Sequence, residues 1–530
     1  MAALSGEGEG QDALGRLLSW FKSHGGSVAK LCLADLGGEM GLSIVVGEAV
    51  KKGDVVMSIP IALCLTVESA QRSDLATMLE ANPELMNTPD EVLALHLMSE
   101  RRRGEKSFWA HYLRTLPDDV DTPLRWTVEG AEEVRLLEGT MVGLLSRMMH
   151  SQVVRDWEDV HLPLVEAYPD VLGGIVFEDY LWALSSIWSR AFDYLEQLPD
   201  GSSRSHRAMV PVINAANHNP SAAENLSDMI DFDSEGGVAE EGKEGPASGR
   251  LRVRAGRDYD AQEQLYILYG RYSNAKLLYS YGFVLPSNPY GGVDYWVKVP
   301  RSDPGFEWKQ ALLDSHSLTA VQAYDFSGTL RTGGWVSPAL LATARVAQLN
   351  AAERGAAENA FNGKMVSPRN EAAAISALLG GIRRKLIGQK SSAADEKELI
   401  AGFEAAEQRQ QRQQLEEGES QGIIIGNPGT IEDLPRVETC GSVGRVCGNS
   451  AAVEATEGST TVEEGVFDVG RRVQRQLAAA RVRLEEKTVL AEAITVLEGS
   501  LRELQSAVSA GSESAADLVS FRPLDADEHY

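Results

Sequence analysis

A chain of 530 residues has room for two or three domains, and 43% apolar against 24% charged residues supports buried cores and excludes wholesale disorder. Fifty Lys and Arg stand against 77 Asp and Glu, and the net charge of −27 excludes a phosphate-binding surface spread over the whole protein while favouring a basic protein partner. Four cysteines, Cys32, Cys64, Cys440 and Cys447, are too scattered for a disulfide framework and form no Cys-x-x-Cys pair of the structural-zinc kind.

Residues 1–11 are Gly- and Glu-rich and lack the apolar run of a signal peptide. The best apolar stretch, 55–67, is broken by Ser58, Pro60 and Thr66 and falls short of the ~20 residues that a bilayer crossing needs. The expectation is a protein of a reducing compartment, cytoplasmic or nuclear, with no membrane contact. Helical spacing over 14–24 stops at Gly25-Gly26. Residues 27–66 then read as strands and turns, with β-rich runs at 42–46 and 55–59 punctuated by Gly41, Gly47, Gly53 and Pro60. A helical block follows: 91–103 after Pro89, 132–150, and 177–195 with Trp182, Leu184, Ile187, Trp188 and Phe192. Strand character resumes at 209–213, 251–255 and 264–269, around a Gly/Glu/Ser stretch at 234–249 that reads as a mobile loop. Ala/Leu/Glu/Arg-rich segments at 338–354, 371–387, 396–414 and 470–497 predict an all-α domain over 301–530. Within it, 416–466 is rich in Gly, Glu, Thr and Ser and reads as a disordered insertion without core-forming power.

The phosphate-binding Gly-rich loops and the Gly-x-Ser-x-Gly of hydrolases are missing. Nine histidines form no His-x-x-x-His and no Cys/His cluster, so no metal site is expected, and Arg101, Arg102 and Arg103 read as a solvated helix end. What remains is an ordered constellation: Glu39-Met40-Gly41-Leu42, Ser189-Arg190-Ala191-Phe192, Asn214-Ala215-Ala216-Asn217-His218, Tyr269-Gly270-Arg271-Tyr272-Ser273-Asn274 and Tyr281-Gly282-Phe283-Val284.

Asn-His followed closely by Tyr-Gly-Phe resembles the SET-domain methyltransferases, and the order strands, helical insert, strands, helices resembles their Rubisco large-subunit lysine methyltransferase subgroup. That resemblance implies an α+β fold: a SET domain over 25–300 with a helical insert at about 68–205 and a knot-like C-terminal part, then a helical substrate-binding domain. It implies methyl transfer from S-adenosylmethionine, leaving S-adenosylhomocysteine, to a lysine presented by a non-histone protein substrate, with no nucleic acid partner and the chain a monomer. Carried over residue by residue, Tyr281 matches the catalytic tyrosine, and Arg190 the partner of the cofactor's carboxylate. Asn217 and His218 match the pair that grips the cofactor, and Glu39, Met40 and Gly41 the turn that approaches it. Phe192 matches an aromatic wall of the lysine channel. Asn214 stands where the family commonly has Asp and would face substrate; Tyr295, with Trp296 as its neighbour alternative, would stack on adenine. Two other readings stay open: a protein-histidine N-methyltransferase, and a SET-fold binding module without catalysis. Phe192 favours lysine over histidine, since an apolar wall suits an alkyl chain better than an imidazole.

The composition of 416–466 cannot offset the entropy of ordering it. Replacing it by a short linker is expected to leave the melting temperature and turnover near wild type; collapse of either would show that the tract packs or binds substrate.

Overall fold

The computed structural model describes residues 7–36, 41–198, 200–234, 249–295, 297–318, 329–420 and 460–510. After α1 (Glu7–Ser23), Val-, Ile- and Leu-rich runs form β1 (Ser27–Val28), β2 (Leu31–Asp35), β3 (Leu42–Val46), β4 (Val55–Pro60) and β5 (Leu65–Thr66). The helical insert is α2 (Val67–Gln71), α3 (Ala76–Ala81), α4 (Pro89–Arg103), α5 (Ala110–Leu113), α6 (Pro123–Glu129), α7 (Met141–Asp156), α8 (Leu162–Ala167), α9 (Pro169–Leu172) and α10 (Phe177–Arg190). In α4, Pro89 opens the first turn, Asp90 and Glu91 sit at the positive end of the helix dipole, and Arg101, Arg102 and Arg103 at the negative end.

The helix expected over 177–195 stops at Arg190. Ala191 is extended, and β6 (Phe192–Gln197) pairs antiparallel with β7 (Ser203–Met209) from Phe192↔Ala208 to Gln197↔Ser203, so the ladder overrides the helical spacing and Phe192 lies on a strand. β7 also pairs with β5 through Leu65↔Met209, so the insert leaves and returns at one sheet of order β5-β7-β6. The strand expected over 209–213 ends at Met209, because Val212 takes φ +68° in a tight turn closed by Ile213 N–H donating to the Pro211 carbonyl at 2.8 Å.

Next come β8 (Asn217–His218), β9 (Ile230–Asp233), β10 (Arg250–Arg254), β11 (Tyr266–Ile267), α11 (Asn274–Tyr281) and β12 (Gly292–Asp294). One sheet has the order β1-β4-β10-β9, β2 pairs with β3, and β8 runs parallel to β11. The loop expected at 234–249 lies outside the described residues from 235 to 248.

The C-terminal part holds α12 (Phe306–Ser315), β13 (Thr329–Arg331), β14 (Trp335–Val336), α13 (Pro338–Ala347), α14 (Pro368–Ile387), α15 (Ala393–Ser420) and α16 (Thr460–Ser509). It is predominantly helical but not all-α: β13 bridges β12 and β14 in a three-stranded sheet. The insertion read at 416–466 is narrower at both ends, since α15 runs to Ser420 and α16 starts at Thr460; residues 421–459 lie outside the described ones.

The helix α16 has 50 residues, spanning about 75 Å at the helical rise. Its Ala478, Ala479 and Val482 join a first core with Phe21, Ile44, Met57, Leu184 and Leu278. Its Val489, Leu490, Ala493 and Leu497 join a second with Val293, Leu330, Leu340 and Leu378. Arg475 meets Asp121 at 2.7 Å and Glu129 at 3.0 Å, while Arg483 and Lys487 hold the buried Glu396 at 2.7 and 2.9 Å. Between the two cores, the Glu485 carboxylate accepts the backbone N–H of Asn274 at 3.1 Å and of Gly292 at 3.2 Å.

Burial raises Glu485 from 4.5 to about 7 and Asp294 from 3.8 to about 6, so the fold favours their neutral forms. The Glu485 contribution to stability is complete below pH 4.5 and is lost as pH rises through 7, and that of Asp294 is complete below pH 3.8 and lost through 6. Glu485→Gln keeps an acceptor oxygen for both amides and cannot ionise. Denaturant unfolding should find it equal to wild type near pH 4 and more stable, on the order of 2 kcal/mol, at pH 8. Equal stability at both values would refute the assignment; Asp294 keeps a weaker slope in the variant.

Candidate active site

The site is built where three chain segments meet: the end of α10, the stretch through β8, and the segment from β11 into α11. Arg190 is the last residue of α10, and its Nη1 donates to the Ser189 hydroxyl at 2.7 Å. Arg190 is partly buried, desolvation lowers its pKa, and among the described residues no carboxylate meets it. A partly desolvated cation without an anion is costly, so the arrangement is complementary to a carboxylate from outside the chain.

Asn214 lies just past the Val212 turn. A β-branched residue at positive φ is a strained conformation, and Val212 is held there with 2% of its surface exposed. Asn214 Nδ2 donates to the Arg190 carbonyl at 2.9 Å, and its Oδ1 accepts the Tyr112 hydroxyl. In β8, Asn217 Nδ2 donates to the Ser43 hydroxyl at 3.0 Å, and Ser43 in turn donates to the Gly41 carbonyl at 3.2 Å. Gly41 has φ +49°, a left-handed conformation that suits glycine. The polar chain therefore reaches the turn expected to approach the cofactor; Glu39 and Met40 themselves lie outside the described residues.

His218 Nδ1 accepts the Tyr269 backbone N–H at 3.1 Å, which leaves the proton of the neutral ring on Nε2. Burial lowers its pKa to about 4, and Nε2 is buried without a hydrogen-bond partner. The site thus contains a His218 Nε2 with no hydrogen-bond partner and an Arg190 fork bonded to the Ser189 hydroxyl alone.

Aromatic rings close the space. The Tyr269 ring lies 4.8 Å from that of Tyr281 and 5.1 Å from that of His218, and its hydroxyl donates to the Ala216 carbonyl at 2.9 Å. Tyr281 has the Phe283 ring at 6.2 Å and the Tyr272 ring at 6.1 Å. Burial raises the pKa of all three tyrosines, Tyr269 to about 12, so they are neutral. Tyr281 closes α11, whose N-cap Ser273 accepts the Lys276 N–H at 3.3 Å and whose C-cap Gly282 has φ +81°. A Cβ at Gly282 would stand 2.8 Å from the Asp121 carbonyl, so the Tyr-Gly-Phe glycine is needed both for its backbone and for the close approach of the insert.

Of the residues singled out in the sequence, Gly41, Arg190, Asn214, Asn217, His218 and Tyr281 are thus tied to one another through direct bonds or shared neighbours. Phe192 follows Arg190 by two residues at the start of β6 and is partly buried against the first core. Tyr295 does not join them. It packs against the second core, with its hydroxyl where a side chain on Gly381 of α14 would lie. Trp296 lies outside the described residues. Missed in the sequence were Tyr269, Tyr272 and Phe283, whose signal was their place inside the quoted motifs, and Tyr112, a lone tyrosine on a short helix with no signal at all.

Comparison with known proteins agrees with this architecture. Residues 300–490 match the family described as Rubisco LSMT substrate-binding. The actin-histidine N-methyltransferase of Xenopus tropicalis is 26% identical over 58% of this chain and 49% of its own length. That of Homo sapiens is 27% identical over 58% and 48%. The chain spans about half the length of the curated relatives it matches. Among solved structures, the SET domain of LSMT bound to lysine and AdoHcy aligns with a TM-score of 0.64 at 20% identity, covering 94% of this chain and 93% of that one. Rubisco LSMT bound to AdoMet aligns with a TM-score of 0.58 at 19% identity, covering 93% of each. The chain therefore has the fold of these SET-domain structures, with a C-terminal part over residues 300–490 that matches the family described as Rubisco LSMT substrate-binding.

Proposed function

We propose that the chain is an S-adenosylmethionine-dependent protein methyltransferase whose acceptor is a lysine side chain. The observation that carries the reading is the partly buried Arg190 guanidinium, its pKa lowered by desolvation, with no carboxylate among the described residues to meet it. A sulfonium amino acid supplies that carboxylate, and the unpartnered His218 Nε2–H is a second donor for a polar ligand. The residues present fit such a cofactor, which supplies an activated methyl group when bound.

The chain's own part is alignment and desolvation. Holding donor and acceptor in line can supply about 7–11 kcal/mol of barrier lowering. Tyr269, Tyr281 and Phe283 exclude water, and an amine entering among them is disfavoured in its charged form, which yields the neutral nucleophile. Neutral tyrosine hydroxyls orient that amine without taking its proton outright.

Lysine is favoured by Phe192, whose apolar ring offers nothing to hydrogen-bond an imidazole. Histidine is the second reading, favoured by the activity named for the relatives. A net charge of −27 suits a basic segment of a protein substrate, with no nucleic acid or membrane needed. Among the described residues no helix is long and apolar enough to cross a membrane. A monomer working in the cytoplasm or nucleus completes the proposal.

Incubating the full chain with labelled S-adenosylmethionine and lysate, then mapping label by mass spectrometry, is expected to find methyl-lysine; label on histidine would select the second reading, and none would reject both. Arg190→Ala is expected to weaken cofactor binding by about 1.5–3 kcal/mol in calorimetry, the size of a hydrogen bond to a charged group. Unchanged affinity in a folded variant would remove Arg190 from the site. Tyr281→Phe should lower turnover at least tenfold with cofactor affinity nearly intact, since the hydroxyl acts mainly in the transition state. Wild-type turnover would make Tyr281 a packing residue.

A further inference from the structure

Asn214 is placed to do something that its neighbours in the site do not: it reaches back to the end of another element. The Arg190 carbonyl belongs to the last turn of α10, where helix carbonyls lack intrahelical donors, and the chain turns extended at Ala191 directly after it. Asn214 Nδ2 supplies the missing donor at 2.9 Å. A carboxamide can be turned two ways, but only one leaves both ends satisfied here. With Oδ1 toward the Tyr112 hydroxyl and Nδ2 toward the Arg190 carbonyl, each contact pairs a donor with an acceptor; the reverse would set two oxygens face to face. Tyr112 is 1% exposed on α5 and Ile213 is 1% exposed beside Asn214, so neither end of the bridge is free to drift.

We propose that Tyr112 and Asn214 are positioning residues for Arg190: the tyrosine hydroxyl fixes the asparagine amide, and the amide holds the Arg190 carbonyl so that the guanidinium faces the ligand. Because the same carbonyl begins the turn into Phe192, one amide sets the direction of the cofactor-facing cation and of the apolar wall two residues later. The helical insert, through α5, thereby takes part in cofactor binding without touching the cofactor. This inference rests on the reading that Arg190 meets the carboxylate of S-adenosylmethionine.

The asparagine makes the proposal testable by pH. In Asn214→Asp the ionised carboxylate has no proton for the Arg190 carbonyl; partial burial beside the Tyr112 hydroxyl favours the neutral acid, which can donate again at low pH. The other groups facing this position are Tyr112 from α5, Arg190 from α10 and Tyr269 after β11. Burial pushes both tyrosine hydroxyls well up, and likewise the thiol of Cys64 beside Tyr112, so none of these acids titrates between pH 5 and 8. Binding of S-adenosylhomocysteine to the full chain is measured by calorimetry at pH 5 and pH 8 for wild type, Asn214→Asp, Asn214→Ala and Tyr112→Phe, with melting temperatures as the control for folding. Relative to wild type, Asn214→Asp is expected to bind about tenfold more weakly at pH 8 and to recover most of that at pH 5. Asn214→Ala should be weak at both values, and Tyr112→Phe weaker by a few fold at both. A ratio of Asn214→Asp to wild type that is the same at both pH values, as general loosening of the fold would give, overturns the inference, as does wild-type affinity in folded Tyr112→Phe. Absence of binding by wild type itself would reject the cofactor reading, and this inference with it.

Discussion

One carboxylate joins the two parts of the molecule. Glu485 of α16 accepts the N–H of Asn274, which starts the helix that ends in Tyr281, and the N–H of Gly292, which starts the strand on which the second core is built. Two backbone donors are left unmet by helix and ladder at those points, and a single side chain answers both. The surroundings are dry enough to raise Glu485 to about 7, so the bond is one of geometry more than of charge. With α16 fixed at this point, its earlier turns pack into the first core and its later turns into the second, and Arg475 ties it to Asp121, the residue whose carbonyl lies against Gly282.

The consequence for the site is that its aromatic side is braced from behind. Asn274 bonds Leu285 in both directions, Nδ2 to the carbonyl at 3.0 Å and Oδ1 from the N–H at 2.8 Å, closing the loop through Tyr281, Gly282 and Phe283. The opposite side is braced differently, by the strained Val212 turn and by the Asn214 bridge to α10. Strain costing about 1–3 kcal/mol persists only where packing over-determines it, and Val212 is surrounded by the first core. Neither brace uses the groups left open toward a ligand.

Much of this was legible in the sequence because it depends on residues with one physical use. Gly282 was singled out inside the Tyr-Gly-Phe motif and closes α11 against the Asp121 carbonyl, and the start of α4 was legible from Pro89, which suits only a first helical turn. What was not legible depends on partners distant in the chain. The helical spacing of 177–195 was genuine up to Arg190 but could not reveal that β7 would draw Phe192 into a ladder. Tyr295 could not be told from a cofactor ring until Gly381, from a helix far downstream, was seen to make room for it. Tyr112 carries no local pattern, and its role exists only because residue 214 folds back to meet it. Spacing reports elements; it reports long-range contacts only when a motif already encodes them.

Charge acts on the proposed reaction in two opposed ways, at two distances. A net −27 draws in a basic segment, yet the same field stabilises a protonated amine and so opposes the nucleophile that methyl transfer needs. The first effect works through solvent and fades beyond a Debye length of about 8 Å at physiological salt. The second is opposed locally: the clustered rings of Tyr269, Tyr281 and Phe283 lower the polarity around an entering amine and disfavour its charged form. An acidic surface and a cationic, aromatic interior are thus compatible, because capture and deprotonation take place in different dielectrics.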